Sequence, residues 1–268
     1  MSTTIAQASE TEIVEGIAIR AVSLDAPWDW LRAGWADLWT HPHVSLAYGA
    51  VFALLAVLMF IGMSHAGMQS IILALAGGFM LVGPAIAVGL YDVSRRIEKE
   101  EPVSFADIFQ VGAKAQGQLG FLGAILAFFY FVWLQMALLL FMLFFGGSST
   151  FPPASKFMNT LLFEPHGLAL LIIGTLIGAA LAVIAFSISV VSVPLLLTRR
   201  IDAITAIYVS VETVVKNLRP MALWAALIAV ITAGGLITSF VGLIVAFPLL
   251  GHASWHAFRD LIVFRDNH

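Results

Sequence analysis

The stretch 220–258, PMALWAALIAVITAGGLITSFVGLIVAFPLLGHASWHAF, decides the fold. It is apolar for most of its length and interrupted at Gly234 and Gly235, so it reads either as one overlong helix or as two shorter ones. A bilayer core takes about 20 residues in helical form. One helix would carry Arg259 and Arg265 across the membrane, away from nearly every other basic residue. Two helices turning near Gly234 to Ser239 bring them back, as the positive-inside rule favours. The stretch therefore reads as two spans.

Further apolar stretches of span length lie at 44–64, 69–92, 118–145 and 168–197. Six spans put both termini in the cytoplasm, and all but Lys156 of the 13 lysines and arginines then fall on the cytoplasmic side. That is the pattern of a multi-pass protein of the bacterial inner membrane. Composition agrees, because 60% apolar and 11% charged residues with a mean hydropathy of +0.98 exclude a water-soluble globule. The formal net charge of −3 is small, the charges cluster between spans, and nucleic acid is excluded as a partner. The absence of cysteine excludes disulfides, thiolate metal sites and cysteine catalysis.

Residues 1–24 carry Glu10, Glu12 and Glu15 but neither a basic n-region nor an apolar h-region, so no cleaved signal peptide is expected and the first span serves as targeting signal. They read as a mobile cytoplasmic tail, residues 25–264 as one transmembrane domain, and residues 265–268 as a short C-terminal tail. The outer loop 146–167, with Ser148, Ser149, Pro152 and Pro153, reads as helix-breaking.

The chain repeats a three-part unit: a cytoplasmic amphipathic helix, a span going out, and a returning span with proline near its inner half. The fold class this defines is all-α, six transmembrane helices as three helical hairpins, each preceded by an amphipathic helix. In the first unit Trp28, Leu31, Trp35, Leu38 and Trp39 share a face, while Asp29, Arg32 and Asp37 mostly point elsewhere. A helix of that kind lies in the headgroup region, and it makes Trp28, Trp35 and Trp39 an interface to lipid or to a partner. In the second unit Ser104 with Asp107 starts a helix that carries Phe105, Ile108, Phe109 and Gly112 at helical spacing. In the third, Ile204, Ile207, Val211 and Val214 form the stripe.

The returning spans contain Pro84, Pro194 and Pro248, and each proline removes a helical hydrogen bond from the carbonyl four residues earlier, at Met80, Val190 and Ile244. Those carbonyls either line a path for a cation or small polar solute, or mark kinks that let three hairpins pack. Packing is favoured, since a transport path ordinarily shows intramembrane acids or polar clusters as well.

Chemistry-bearing groups are few. His252 and His256, at i and i+4, can face one side and hold a metal or a haem edge, but no carboxylate or third histidine stands at metal spacing. Anchoring or hydrogen bonding is the preferred reading, and no cofactor is expected. Asp92 lies one turn before Arg95 and Arg96, which reads first as a local ion pair and second as a proton relay; Asp260 beside Arg259 is similar. Gly174, Gly178 and Ala182 form a small-residue strip suited to close helix contact, within the chain or between copies. Ser187, Ser189 and Ser192 can bond their own helix, and Trp133 and Gln135 are the other polar groups at membrane depth.

Taken together, Gly83-Pro84, Gly89-Leu90-Tyr91, Arg95-Arg96, the run Ser104-Phe105-Ala106-Asp107-Ile108-Phe109 and the closing Gly251-His252-Ala253-Ser254-Trp255-His256-Ala257-Phe258-Arg259 form a set. The chain carrying it resembles a family of bacterial integral membrane proteins of unknown function, some of whose members bear the label putative cytochrome c oxidase subunit I. The resemblance runs over about residues 19–264. The label implies haem and copper, held in a much larger bundle by membrane-embedded histidines on several helices. Of the seven histidines here (His41, His43, His65, His166, His252, His256 and His268), His252 and His256 alone fall within a span. The catalytic subunit is thereby excluded; an accessory role in a respiratory complex is what the resemblance leaves.

The favoured function is a non-enzymatic membrane protein that binds or organises lipids or membrane partners. The alternatives are a channel or transporter for a small solute along a path near Pro84, Pro194 and Pro248, and a redox or hydrolytic membrane enzyme.

Overall fold

A computed structural model describes residues 10–14, 16–68, 72–105, 117–146 and 154–265. The chain is mainly helical: α1 (Ala26–Thr40), α2 (Pro42–His65), α3 (Ile72–Ile86), α4 (Val88–Glu98), α5 (Gly117–Phe145), α6 (Ala154–Phe163), α7 (Pro165–Ser189), α8 (Ser192–Thr198), α9 (Ala203–Lys216), α10 (Leu218–Ile237) and α11 (Leu243–Leu261). Among the described residues five stretches are long and apolar enough to cross a membrane: Pro42–His65, Ala74–Glu98, Gly117–Phe145, Pro165–Thr198 and Leu218–Ile237. The protein is thus an integral membrane protein of several passes. Stretch 220–258 is indeed two helices. The glycine pair lies within α10, and the turn falls later, at residues 238–242, where Ser239 and Phe240 take positive φ. Gly235 instead lets the start of α11 lie close, since a Cβ there would stand 2.7 Å from the Leu243 side chain.

Helix α11 is not among the five, because His252, Ser254, His256, Arg259 and Asp260 dilute its second half. It is nevertheless the most enclosed helix, packed by α1, α2, α4 and α10. A helix shielded from lipid by its neighbours has no need of uniform apolarity. On the other side of the bundle α3 packs on α5 and α7, α5 on α7, and α9 on α7 and α8.

The sequence expectation of a purely helical chain with a mobile tail over 1–24 is corrected at both ends. Strands β1 (Glu10–Val14), β2 (Ile17–Arg20) and β3 (Ile262–Phe264) form an antiparallel sheet in that order, with Ile17 opposite Phe264 and Ile19 opposite Ile262. Ile17, Ala18 and Ile19 are buried in the main core. The following backbone is tied down by the buried Asn217, whose amide donates to the Arg20 carbonyl and accepts from Val22 N–H at 2.9 Å. Residues 17–22 belong to the packed body, and residues 1–9 and 266–268 lie outside the described residues. The outer loop is also corrected, since α6 occupies Ala154–Phe163 and packs on α7. The second amphipathic helix lies, beyond Phe105, outside the described residues.

Two of the three returning stretches are interrupted near their proline, whereas α11 runs unbroken through Pro248. Helix α3 ends at Ile86, two residues beyond Pro84, and the Ile86 carbonyl accepts from the Tyr48 hydroxyl of α2. Between α7 and α8 the break before Pro194 is bridged by a side chain: the Ser210 hydroxyl of α9 accepts from Val191 N–H at 3.1 Å and donates to the Ser187 carbonyl at 2.7 Å. It stands in for the direct helical bond between those two groups. In Ser210→Ala both are left unpaired in a buried place, and the expected cost is about 1–3 kcal/mol. Thermal unfolding in detergent measures it; a midpoint equal to wild type refutes the bridging role.

Helix α9 begins at Asp202, whose carboxylate accepts from Thr205 N–H at 2.9 Å and from its hydroxyl at 2.6 Å. Those bonds hold the Asp202 carboxyl below its usual range. The buried face of α9 is Ala203, Ala206, Val209, Ser210, Thr213 and Val214, while Ile204 is exposed. Of the predicted stripe, Val214 is buried in the core and Ile207 packs against it, while Ile204 points out; Ala203, Ala206, Val209, Ser210 and Thr213 complete the inner face.

Candidate functional site

Two places concentrate chemistry. The first is a polar network at the arginine-bearing end of the bundle, built where α1, α2, α4 and α11 meet. Gly34 allows the approach of α1 to α11, since a Cβ there would stand 2.5 Å from the Ala253 nitrogen. The face of α1 carrying Trp30, Gly34, Asp37 and Leu38 is buried against its neighbours. Trp28, Trp35 and Trp39 stand on the opposite face, 51%, 47% and 51% exposed, with Trp35 and Trp39 edge to face. The expected outward tryptophan face is present; Leu38 and Asp37 were misplaced, as both point inward.

His252 is fully buried, and both of its ring nitrogens are occupied: Nδ1 is 2.7 Å from the Ser94 hydroxyl and Nε2 is 3.0 Å from the Ser45 hydroxyl. One nitrogen of a neutral imidazole donates and the other accepts, a requirement that two hydroxyls meet in either tautomer. His256 donates from Nε2 to the Asp37 carboxylate at 2.8 Å. The pair considered for a metal or haem edge is thus divided between α2 and α4 on one side and α1 on the other. Among the described residues no group of three metal-ligating side chains stands together.

Around the histidines the charges are matched. Asp92, with a side chain only 7% exposed, accepts from Arg95 Nε at 2.8 Å and Nη2 at 2.6 Å, and from Arg96 Nε at 2.8 Å. The local ion pair read from the sequence is present, with both arginines engaged. Glu98 accepts from Trp255 Nε1 at 3.2 Å and from Arg259 Nε at 2.9 Å. Asp260 accepts from Trp30 Nε1 at 3.0 Å, with Arg20 at 3.6 Å. What the arrangement does chemically is fasten four helices together. Sequence reasoning missed Ser45, Ser94, Asp37 and Glu98. A usable signal was the spacing of Trp30, Gly34, Asp37 and Leu38, which repeats every three or four residues and marks Asp37 as inward.

The second place is a cavity of about 660 Å³ among α3, α5, α7, α10 and α11. Val183 and Thr175 of α7 and Ala229 of α10 line it and are exposed, so it opens sideways between those helices, halfway along them. Among the described residues its wall is apolar, with Tyr91, Trp133, Thr175, Ser189, Thr232 and Ser254 the polar side chains and no charged residue. Tyr91 sits one turn from Arg95 at the arginine-bearing end. Pro84 lines the cavity, whereas Pro194 and Pro248 are buried outside its wall. The strip Gly174, Gly178 and Ala182 faces it, and Gly178 takes the Trp133 ring, which would lie 2.8 Å from a Cβ there. Trp133 donates to the Ala74 carbonyl at 2.6 Å. Ser187 and Ser189 each bond a carbonyl four residues back on their own helix, as the sequence allowed, and Ser192 at the start of α8 bonds the Ile188 carbonyl of α7 across the break.

With this geometry in view, the comparisons with known proteins are brief. A family described as "Predicted integral membrane protein (DUF2189)" matches residues 71–198, from the start of α3 to the end of α8. The chain is similar to a membrane protein family of unknown function over that region. No curated protein and no solved structure matches.

Proposed function

We propose that the protein is a non-enzymatic, six-span inner-membrane protein that binds lipid in the sideways-opening cavity and so organises its membrane surroundings. The observation that carries this reading is a cavity of about 660 Å³, apolar, free of charge and open at membrane depth, a size in the usual range of ligand sites. The sixth span is α11, which completes three hairpins, and α1 and α9 lie at the cytoplasmic surface beside the first and the third. Basic residues gathered at one end support cytoplasmic termini. The outward Trp28, Trp35 and Trp39 suit the headgroup zone or a membrane partner, and an accessory place beside a respiratory complex is one form of this role. A solute path along Pro84, Pro194 and Pro248 has less support, because only Pro84 reaches the cavity.

Native mass spectrometry of the full chain, released from mild detergent, tests the reading. A lipid adduct is expected on the wild type and is lost in Ala225→Trp, which places an indole in the cavity. A wild-type protein that carries no lipid, or an adduct indifferent to that substitution, overturns it.

A further inference from the structure

We infer that the lipid held in the cavity is an uncharged one, a glyceride whose head bears hydroxyl and ester oxygens, seated with that head at Tyr91, Ser254 and Ser189. The inference rests on the lipid-binding reading and adds the chemical class. A bilayer tail is as apolar as the cavity wall, so moving a chain from one to the other yields little free energy. Discrimination must come from the head. Tyr91, Ser189 and Ser254 are all buried and meet at the arginine-bearing end of the cavity. The Ser189 hydroxyl donates to the Ala185 carbonyl, which leaves its oxygen as an acceptor. Tyr91 and Ser254 line the same wall, and their hydroxyls offer donors and lone pairs to a ligand.

A phosphate at this place would be buried without a counter-charge, which is costly. The guanidinium groups nearest that end, Arg95 and Arg96, are engaged by the Asp92 carboxylate, and Arg259 by Glu98. Among the described residues no cation lines the cavity. Ester and hydroxyl oxygens, in contrast, meet partners of their own kind.

The test is competition. The full chain in mild detergent is equilibrated with equal amounts of dioleoylglycerol, dioleoylphosphatidylglycerol and dioleoylphosphatidylethanolamine, and the bound masses are read by native mass spectrometry. Preferential retention of the diacylglycerol is expected. Tyr91→Phe and Ser254→Ala, each removing one neutral hydrogen-bonding group, are expected to lower that preference by about 2- to 10-fold. Equal binding of the three lipids, or a preference for either phospholipid, overturns the inference while lipid binding itself stands. A protein that retains none of them fails the wider reading as well.

Discussion

Asp92→Ala is expected to destabilise the protein by about 3 kcal/mol, the lower end of the range for breaking a buried ion pair from one side. The argument rests on what remains after the carboxylate is gone. Arg95 and Arg96, whose side chains are 23% and 19% exposed, lose the acceptor that takes three of their N–H groups. Arg95 keeps Glu101 at 3.5 Å and Arg96 keeps the Pro102 carbonyl at 3.1 Å, which holds the loss to that lower end. Helix α4 then approaches α11 with two under-compensated cations. Arg32→Ala is the matched control, since Arg32 and Asp29 are paired at 2.9 Å but are 80% and 68% exposed, where an ion pair contributes little. Thermal unfolding in detergent separates the two: a clear drop for Asp92→Ala and none for Arg32→Ala. Equal midpoints for both variants would mean that the Asp92 cluster is only a surface ornament of α4.

The spans were legible because hydrocarbon thickness sets both the length and the composition of a crossing helix, and 44–64, 118–145 and 168–197 satisfy it without ambiguity. Helix α11 was legible for another reason. Its hydropathy is too low, and only the charge distribution around Arg259 and Arg265 argued for a separate returning helix. Which side of each helix faces inward was much less legible. On α1 Trp28, Trp35 and Trp39 point out, while Trp30 and Leu38 share the inner face with Gly34 and Asp37; on α9 Ile204 points out, while Val209, Ser210, Thr213 and Val214 point in. The rule that an apolar stripe marks the core assumes water outside. Where the surroundings are apolar too, small and hydrogen-bonding residues share the helix contacts and large apolar residues stand on both faces, so the stripe loses its meaning.

The polar network was half legible. Asp92 with Arg95 and Arg96 is local, within one turn, and could be read directly. Ser45 and Ser94 meet His252 from different helices, and no spacing in the sequence announces that encounter. The sheet was hidden for the same reason, as β2 pairs with β3 from the opposite end of the chain. The α6 helix was obscured by Pro152 and Pro153, which read as breakers although proline is also at home in the first turn of a helix.

Glycines pose the sharpest form of this problem, and Gly49→Leu is the second substitution expected to have a large effect. A Cβ at Gly49 would stand within 2.8 Å of the Ile244 carbonyl carbon and closer still to its oxygen, so α2 and α11 must separate to admit any side chain. That carbonyl is the one Pro248 cannot serve with an N–H, and in α11 it finds its place against the bare backbone of α2. Overpacking against main chain costs about 3 kcal/mol at the upper end of the usual range. Ser45 lies one turn away, so its bond to His252 weakens with the same displacement. Gly62 is the control on the same helix: nothing lies within 4 Å of a Cβ there, and Gly62→Leu is expected to leave stability unchanged or raise it slightly through helix propensity. Unfolding midpoints in detergent decide the matter, with Gly49→Leu well below wild type and Gly62→Leu at or above it. If both glycines tolerate leucine equally, the close crossing of α2 and α11 is not a determinant of the fold, and the reading of Pro248 as a packing kink loses its support.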